Sequence, residues 1–571
     1  MSSADFLNHA RTLVHNIATE ITAKHGLSSM TVSIYDTAWL SMVQKVSVNG
    51  KQWLFPESFT FLLKHQGPEG GWDPLMQSTR ADRYPDPLWI PDCIVHSLAA
   101  LLALCRHFKF ASNAGEMRSQ CDIHSRIFRA KRFLDIKLAV LNIDNITHFG
   151  FELLVPVLFR LLAEEGFQFD FPAKEELLSK YEKASSVDMT WLYNDGPCKI
   201  PLFCLEAFLG KIDFSRLAHL VTSTAGVSAS PASTASYLIH SNIWSDQGES
   251  YLQHVVGKRG DGAVGGVFPL EIFEPCWVLT ALLENGFTGE ELGLEDVEQI
   301  LGVIRESLAD GVTSATHVFF PDADDTARAL TILNLSGFNI SQSSMIQRFE
   351  GHESFDTFDD QLPNRVSSVS VNGNVLNALL HSPNPDSFAP QIEKIARFLC
   401  SQWEQQRFIH DHWNISPYYG LMHIAQSLSH LITVHNRGGI PLLSPHLTRH
   451  IIPSTLDQVL DHLLTTQNTD GTWGSLHCRE ETAYAVISLA HIAFQSLILG
   501  ERDGAVDAAI ARSKRFLAKA WVPDNPSLDR LWTGKVLHGV AYVAEAYVLA
   551  ALRVDRVKLA GACDIDLSMV E

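Results

Sequence analysis

The chain has 571 residues, too many for one growing hydrophobic core, so two or more domains are expected. Its 46% hydrophobic and 19% charged residues suit a globular protein and exclude long disordered tracts. The formal charge of −20, from 44 basic and 64 acidic residues, repels a phosphate backbone and argues against nucleic acid as a partner, though not against a small anionic substrate in a local basic pocket.

In chain order, the opening MSSADFLNHARTLVHNIATEI lacks a signal or transit layout. No apolar run approaches the roughly 20 residues of a membrane span. Nine scattered cysteines without a CxxC pair argue against a disulfide framework or a structural zinc site. A soluble, cytoplasmic protein is the expectation. Helical periodicity then dominates. Cys93–Phe108 is apolar nearly all round and reads as a buried helix. Further helices are predicted over Glu152–Glu164, Trp277–Asn285, Glu295–Leu308, Thr326–Leu333, Val375–Leu380, Gln391–Gln402, Leu421–Val434, Leu456–Leu464, Glu481–Leu497 and Val540–Leu552. Gly/Pro/Asn/Asp loops separate them and β-alternation is scarce, so the predicted class is all-α.

A repeat lies within this pattern. Gln66–Trp72 and Gln467–Trp473 both follow QxxxGxW straight after an apolar helix, and Gly260–Gly266 is a degenerate third copy without the tryptophan. A glycine turn there lets the glutamine amide bond backbone groups while the indole covers the helix end. Two clean copies far apart predict two similarly built helical barrels.

Chemistry concentrates in Asp322-Ala323-Asp324-Asp325, which follows aromatic His317–Phe320 and precedes a helix. Helix N-terminal N–H groups favour negative charge there. Three carboxyls so close cannot all ionise cheaply, and an apolar wall raises the pKa of the least solvated one. A carboxyl kept protonated is what protonation of a weak base such as an alkene requires. A solvated helix cap and a divalent-metal site are the competing readings of this motif alone.

Other segments accompany it in order: Ser33–Trp39, Gln66–Trp72, Gly265–Trp277, Val371–Leu380, Asp411–Tyr419, Glu480–Tyr484 and Leu531–Lys535. Together with DADD they resemble class II diterpene cyclases of the copalyl diphosphate synthase type, especially fungal ones, over about residues 28–555. The resemblance implies two α/α-barrel domains, with a γ domain (29–287) inserted into a β domain formed by 1–28 and 288–571. It implies protonation-initiated cyclisation of geranylgeranyl diphosphate to copalyl diphosphate, with the diphosphate retained. Asp324 is then the general acid, held and polarised by Asp322 and Asp325, and Asn374 or Asn372 bonds the donor. Trp277 is the leading cation-facing ring, with Trp413 and Trp532 behind it.

The resemblance also marks departures. The His–Asn pair that ends the reaction in plant members is replaced by Phe203 and, near the second position, Gly266. Deprotonation then needs another group or an ordered water, and capture of the cation by water is open. Mg²⁺ is implied as the partner of the diphosphate, with Asp144 and Glu152 as its candidate ligands. Lys199 and Lys535 are the basic candidates for the diphosphate, because His412 stands where a lysine is common. Asp356, Asp359 and Asp360 are expected to form a solvated loop without class I chemistry. Fungal relatives often continue into a C-terminal α domain, which this chain lacks; a natural stand-alone cyclase and a piece of a longer enzyme fit equally. A homo-oligomer is compatible with this reading. The alternatives are a cyclase making a hydroxylated or other bicyclic diphosphate, a squalene–hopene-type triterpene cyclase, and an inactive helical scaffold. A protein prenyltransferase subunit would need a zinc triad that the sequence does not offer.

Overall fold

The computed structural model describes residues 3–22, 26–48, 50–73, 86–114, 117–144, 146–186, 189–194, 200–358, 367–495, 502–519 and 529–554. Helices make up the architecture, and the one sheet among the described residues is a hairpin pairing Gln44–Ser47 with Gly50–Trp53. Each predicted helix is present and most run a few residues longer, but those predicted over Trp277–Asn285 and Glu481–Leu497 end at Leu283 and Ala493, and residues 496–497 lie outside the described residues. The apolar stretch at Cys93–Phe108 is the centre of a 29-residue helix, Asp86–Ala114. Its Trp89–Ala111 portion is long and apolar enough to cross a membrane, but 94% of its most apolar window is buried inside the protein. More polar helices at Met117–Ala139, Lys174–Ser185 and Asp503–Lys519 escape the periodicity search because each buries only a narrow face.

Two large cores result. One gathers buried side chains from Ile34 to Phe268, with Val536 added from far along the chain. The other joins Ala10–Leu27 to Ile272–Val554. The Ser3–Thr22 helix packs against Leu294–Ser307 and Ala541–Arg553, so the chain starts in one core, builds the other, and returns. Phe273–Leu283 packs against Ala323–Leu335 and Ala541–Arg553 in this second core, ahead of the residue-287 boundary expected from the sequence. Between the cores, Met30, Ala225, Ala229, Val267 and Leu270 form a small apolar cluster with Phe203, Phe273 and Phe319 packed against it.

The two QxxxGxW copies do the same job in the two cores. Gln66 Nε2 donates to the carbonyls of Gly70 and Arg126, and Trp72 Nε1 donates to Leu62 O at 2.8 Å. Gln467 Nε2 donates to Gly471 O and Ala509 O, and Trp473 Nε1 donates to Leu463 O at 2.9 Å. Each turn thus ties the end of one helix to the side of another. Gly70 needs its φ of +103°, and a Cβ there would lie 2.4 Å from the Arg129 carbonyl carbon. Both tryptophans are wholly buried.

Candidate active site

The acidic motif is built by its own helix end. Asp322 is the N-cap of Ala323–Leu335, extended at φ −133° and ψ 163°, and its Oδ1 accepts the Asp325 N–H at 2.8 Å. The approach is locked from outside: Asp322 N donates to Thr313 O, Ala323 N to Thr357 O, and Thr326 Oγ1 to Thr313 O. Glu271 holds the preceding turn by accepting from His317 and from Thr316 Oγ1. All three aspartates are at most 7% exposed, so the solvated-cap reading fails while the capping itself is real.

Burial dominates their electrostatics. It raises the Asp324 carboxyl to about 7; the Asn374 hydrogen bond opposes this, repulsion by Asp322 adds to it, and Arg328 opposes it. Asp322 is raised to about 6, again chiefly by burial, with the Asp325 hydrogen bonds pulling the other way. Asp325 is pushed well above the carboxylate range by burial and by its two acidic neighbours, so it is held protonated. Asn374 Nδ2 donates to Asp324 Oδ1 at 2.6 Å. Asn372 is engaged elsewhere, accepting from Phe355 N and donating to Phe355 O and Ser368 O. Of the two candidate asparagines, only Asn374 reaches the acid.

These carboxyls line a cavity between the cores with about 1010 Å³ of unfilled space, its mouth included. Its wall is overwhelmingly aromatic and aliphatic. Trp277, Trp413 and Trp532 all stand on it, as do Phe273 and Phe319. Phe273 and Trp277 pack at 4.3 Å between centroids, with Trp532 edge-on to both. Trp277 Nε1 donates to the Tyr419 hydroxyl at 3.1 Å, and Trp532 Nε1 donates to Glu480 Oε1 at 2.9 Å, which fixes the rings.

The sequence reading missed Arg328, four residues after Asp324 and so on the same helix face. Its guanidinium is buried 4.9 Å from the Trp277 ring centroid, and Nη2 donates to the Tyr547 hydroxyl at 3.2 Å. Burial opposes its charge, but Tyr547, Tyr419, Glu284 and Asp324 together hold it firmly protonated. The i,i+4 spacing was the available signal. Asp411, quoted in the sequence but given no role, accepts from Ser368 Oγ, Ser370 N and Oγ, and Trp413 N, and anchors the start of the Asn374 helix.

Other candidates separate from the cavity. Lys535 is 3% exposed and off its wall; Nζ donates to Glu206 at 2.7 Å, Ser230 at 2.8 Å and Ser233 at 3.4 Å. All three of its donors are engaged, which corrects its reading as a diphosphate contact. Lys199, Asp359 and Asp360 lie outside the described residues. Asp356 is buried rather than solvated, with its backbone N–H donating to Phe349 O. His412 is off the wall, its carbonyl accepting from the Thr533 hydroxyl. Phe203 does face the cavity, 5.4 Å from Phe319, and Gly266 precedes the wall residue Val267. Asp144 is exposed, and among the described residues no group of three or more His, Cys, Asp or Glu side chains could hold a metal. Neither Asp144 nor Glu152 is among the residues that line the cavity.

This arrangement, two helical cores around an apolar cavity with a buried acid at its wall, is the fold of class II terpene cyclases. The chain superposes on ent-copalyl diphosphate synthase from Streptomyces platensis with a TM-score of 0.73 at 23% identity, covering 98% of this chain and 100% of that one. Abietadiene synthase from Abies grandis gives 0.58 at 17% identity, over 95% of this chain and 58% of that one. In sequence it is 34% identical to pimaradiene synthase of Emericella nidulans over 99% of this chain and 57% of the relative. It is also 34% identical to copalyl diphosphate synthase of Talaromyces verruculosus, over 97% and 56%. The chain is thus a relative of fungal diterpene synthases, as its motifs suggested, and it spans about half the length of the curated relatives it matches. No family model matches the sequence.

Proposed function

We propose that the chain catalyses class II cyclisation of geranylgeranyl diphosphate to copalyl diphosphate, with Asp324 as the proton donor. The observation that carries this reading is a buried carboxyl, raised to about 7 and hydrogen-bonded by Asn374, on the wall of an aromatic cavity. With Oδ1 accepting the Asn374 N–H, Oδ2 carries the acidic proton. The electron pair of the terminal alkene takes that proton and leaves a tertiary cation, which the internal alkenes trap by closing two rings. The carboxylate left on Asp324 is stabilised by Asn374 and by Arg328, four residues along. Asp322 orients the helix start and its charge helps raise the Asp324 carboxyl, while Asp325, held protonated, withholds a competing charge.

Throughout, no bond to the diphosphate breaks, since the energy of initiation comes from protonation. The wall excludes water from the cation and offers it ring faces. Magnesium enters this proposal only as a companion of the diphosphate, whose oxygens would supply most of its ligands; no step depends on it. Support for the substrate is the similarity, over 97% of this chain and 56% of the relative, to a protein named copalyl diphosphate synthase. An inactive scaffold would need neither the buried carboxyl cluster nor the aromatic cavity.

The test incubates purified protein with geranylgeranyl diphosphate and Mg²⁺, dephosphorylates the products and identifies them by mass spectrometry. A bicyclic copalyl-type alcohol is expected, with its formation abolished in Asp324→Ala while the circular dichroism spectrum is unchanged. Untouched geranylgeranyl diphosphate alongside conversion of squalene would overturn the substrate; equal turnover by Asp324→Ala would overturn the acid.

A further inference from the structure

The cavity that holds the acid also holds a base. Among the described residues lining it there is no lysine or arginine, and His538 is the one imidazole. Its position is determined by backbone. His538 and Trp532 exchange both N–H···O bonds at 2.9 Å, which folds Trp532–His538 into a tight loop. The next residue is clamped as well, Gly539 N donating to Thr31 Oγ1 and Gly539 O accepting from Thr31 N. Within the loop, Gly534 lies under the ring: a Cβ there would be 3.3 Å from His538 Cε1.

The tautomer follows from the hydrogen bonds. His538 Nδ1 lies 3.3 Å from the Val536 carbonyl, which can only accept, so Nδ1 carries the proton. Nε2 is left as a lone-pair acceptor, and His538 is one of the residues that line the cavity. Burial holds the imidazole neutral, lowering it to about 4. The Val536 carbonyl favours positive charge on the ring once a proton arrives; the Arg530 charge opposes it, and the Asp92 carboxylate, which accepts the Leu537 N–H at 2.7 Å, adds a smaller favourable effect.

We propose that His538 is the base that ends the reaction, in the place left without one by Phe203 and Gly266. In this step a C–H bond next to the final cation breaks, and its electron pair forms the exocyclic or ring C=C. The proton passes to Nε2, giving an imidazolium that later releases it to solvent. Asp324 regains its proton from solvent, so one proton enters and one leaves per turnover. The step rests on the cyclisation proposed above, and it favours an olefinic product over water capture.

The test compares wild type with His538→Gln and Gly534→Ala, using geranylgeranyl diphosphate and Mg²⁺ with product analysis after dephosphorylation. In His538→Gln, substrate consumption is expected to stay within about tenfold of wild type, while the wild-type olefin falls below half of the products in favour of hydroxylated or alternative olefins. Gly534→Ala, which crowds the ring without removing it, is expected to shift the product ratio in the same direction. An unchanged product distribution in His538→Gln would overturn the step and leave the cyclisation standing. So would a hydroxylated wild-type product, or loss of all consumption in a His538→Gln protein whose circular dichroism is unchanged. No turnover by wild type would overturn the cyclisation itself, and this step with it.

Discussion

Asn374 Nδ2 lies 2.6 Å from Asp324 Oδ1, and this bond joins two helices that start 46 residues apart, Ala323–Leu335 and Val369–Leu380. It both aims the acid and tempers the effect of burial on it. Removing it in Asn374→Ala is expected to lower kcat by roughly 10–100-fold, within the range for a mis-set general acid, with KM little changed. Because the bond favours the ionised form, its loss also raises the Asp324 pKa. The basic limb of the pH–rate profile should therefore move upward. Steady-state kinetics between about pH 6 and 9 check both outcomes.

Asp324 itself gives a pH dependence of known sign. Its carboxyl is raised from 3.8 to about 7 in the folded state, so the folded protein binds the proton more tightly than the unfolded chain. Wild-type stability from this group is complete below about pH 4 and falls as pH rises towards 7. Activity, which needs the protonated form, falls as pH rises through about 7. Asp324→Asn is expected to be inactive yet more resistant to denaturant than wild type at about pH 8, by up to a few kcal/mol, with the advantage vanishing below about pH 4. Urea titrations at both pH values check this.

Lys535 distinguishes a structural ion pair from a substrate contact. Its partner Glu206 also accepts from the Tyr35 hydroxyl and from Ser233 Oγ. Lys535→Met leaves that carboxylate buried without its cation and is expected to destabilise the protein by about 3–5 kcal/mol. KM for geranylgeranyl diphosphate in the folded fraction should stay within about twofold. Thermal unfolding and initial rates at low temperature check the pair.

Trp277 has one neighbour that the sequence reading did not foresee, the Arg328 cation 4.9 Å from its ring centroid. The ring still lines the cavity, beside Trp532. Trp277→Phe keeps a π face and loses only the donor to Tyr419, whereas Trp277→Leu loses the face. A cation–π contact of about 1–2 kcal/mol predicts roughly 5–30-fold lower kcat in the leucine variant than in the phenylalanine variant. Single-turnover rates compare the two.

The sequence by itself determined the all-α class, the positions of the apolar helices and the two QxxxGxW turns, because each of these is set by local periodicity or by a glycine's backbone freedom. It also located the acidic motif, since three aspartates in four residues at a helix start announce themselves without a fold. What tertiary structure alone decided were relations between distant segments. Asn374 rather than Asn372 reaches Asp324, because successive helix positions point to different sides and only packing says which side faces the acid. Lys535 turned from substrate contact to internal ion pair because Glu206, more than 300 residues earlier in the chain, meets it at 2.7 Å. His538 had no motif to mark it; a loop closed by backbone bonds to Trp532 put its imidazole on the cavity wall. A local pattern can specify a helix and its cap, but the solvation that sets a carboxyl's pKa and the reach of a base exist only once the two cores have met.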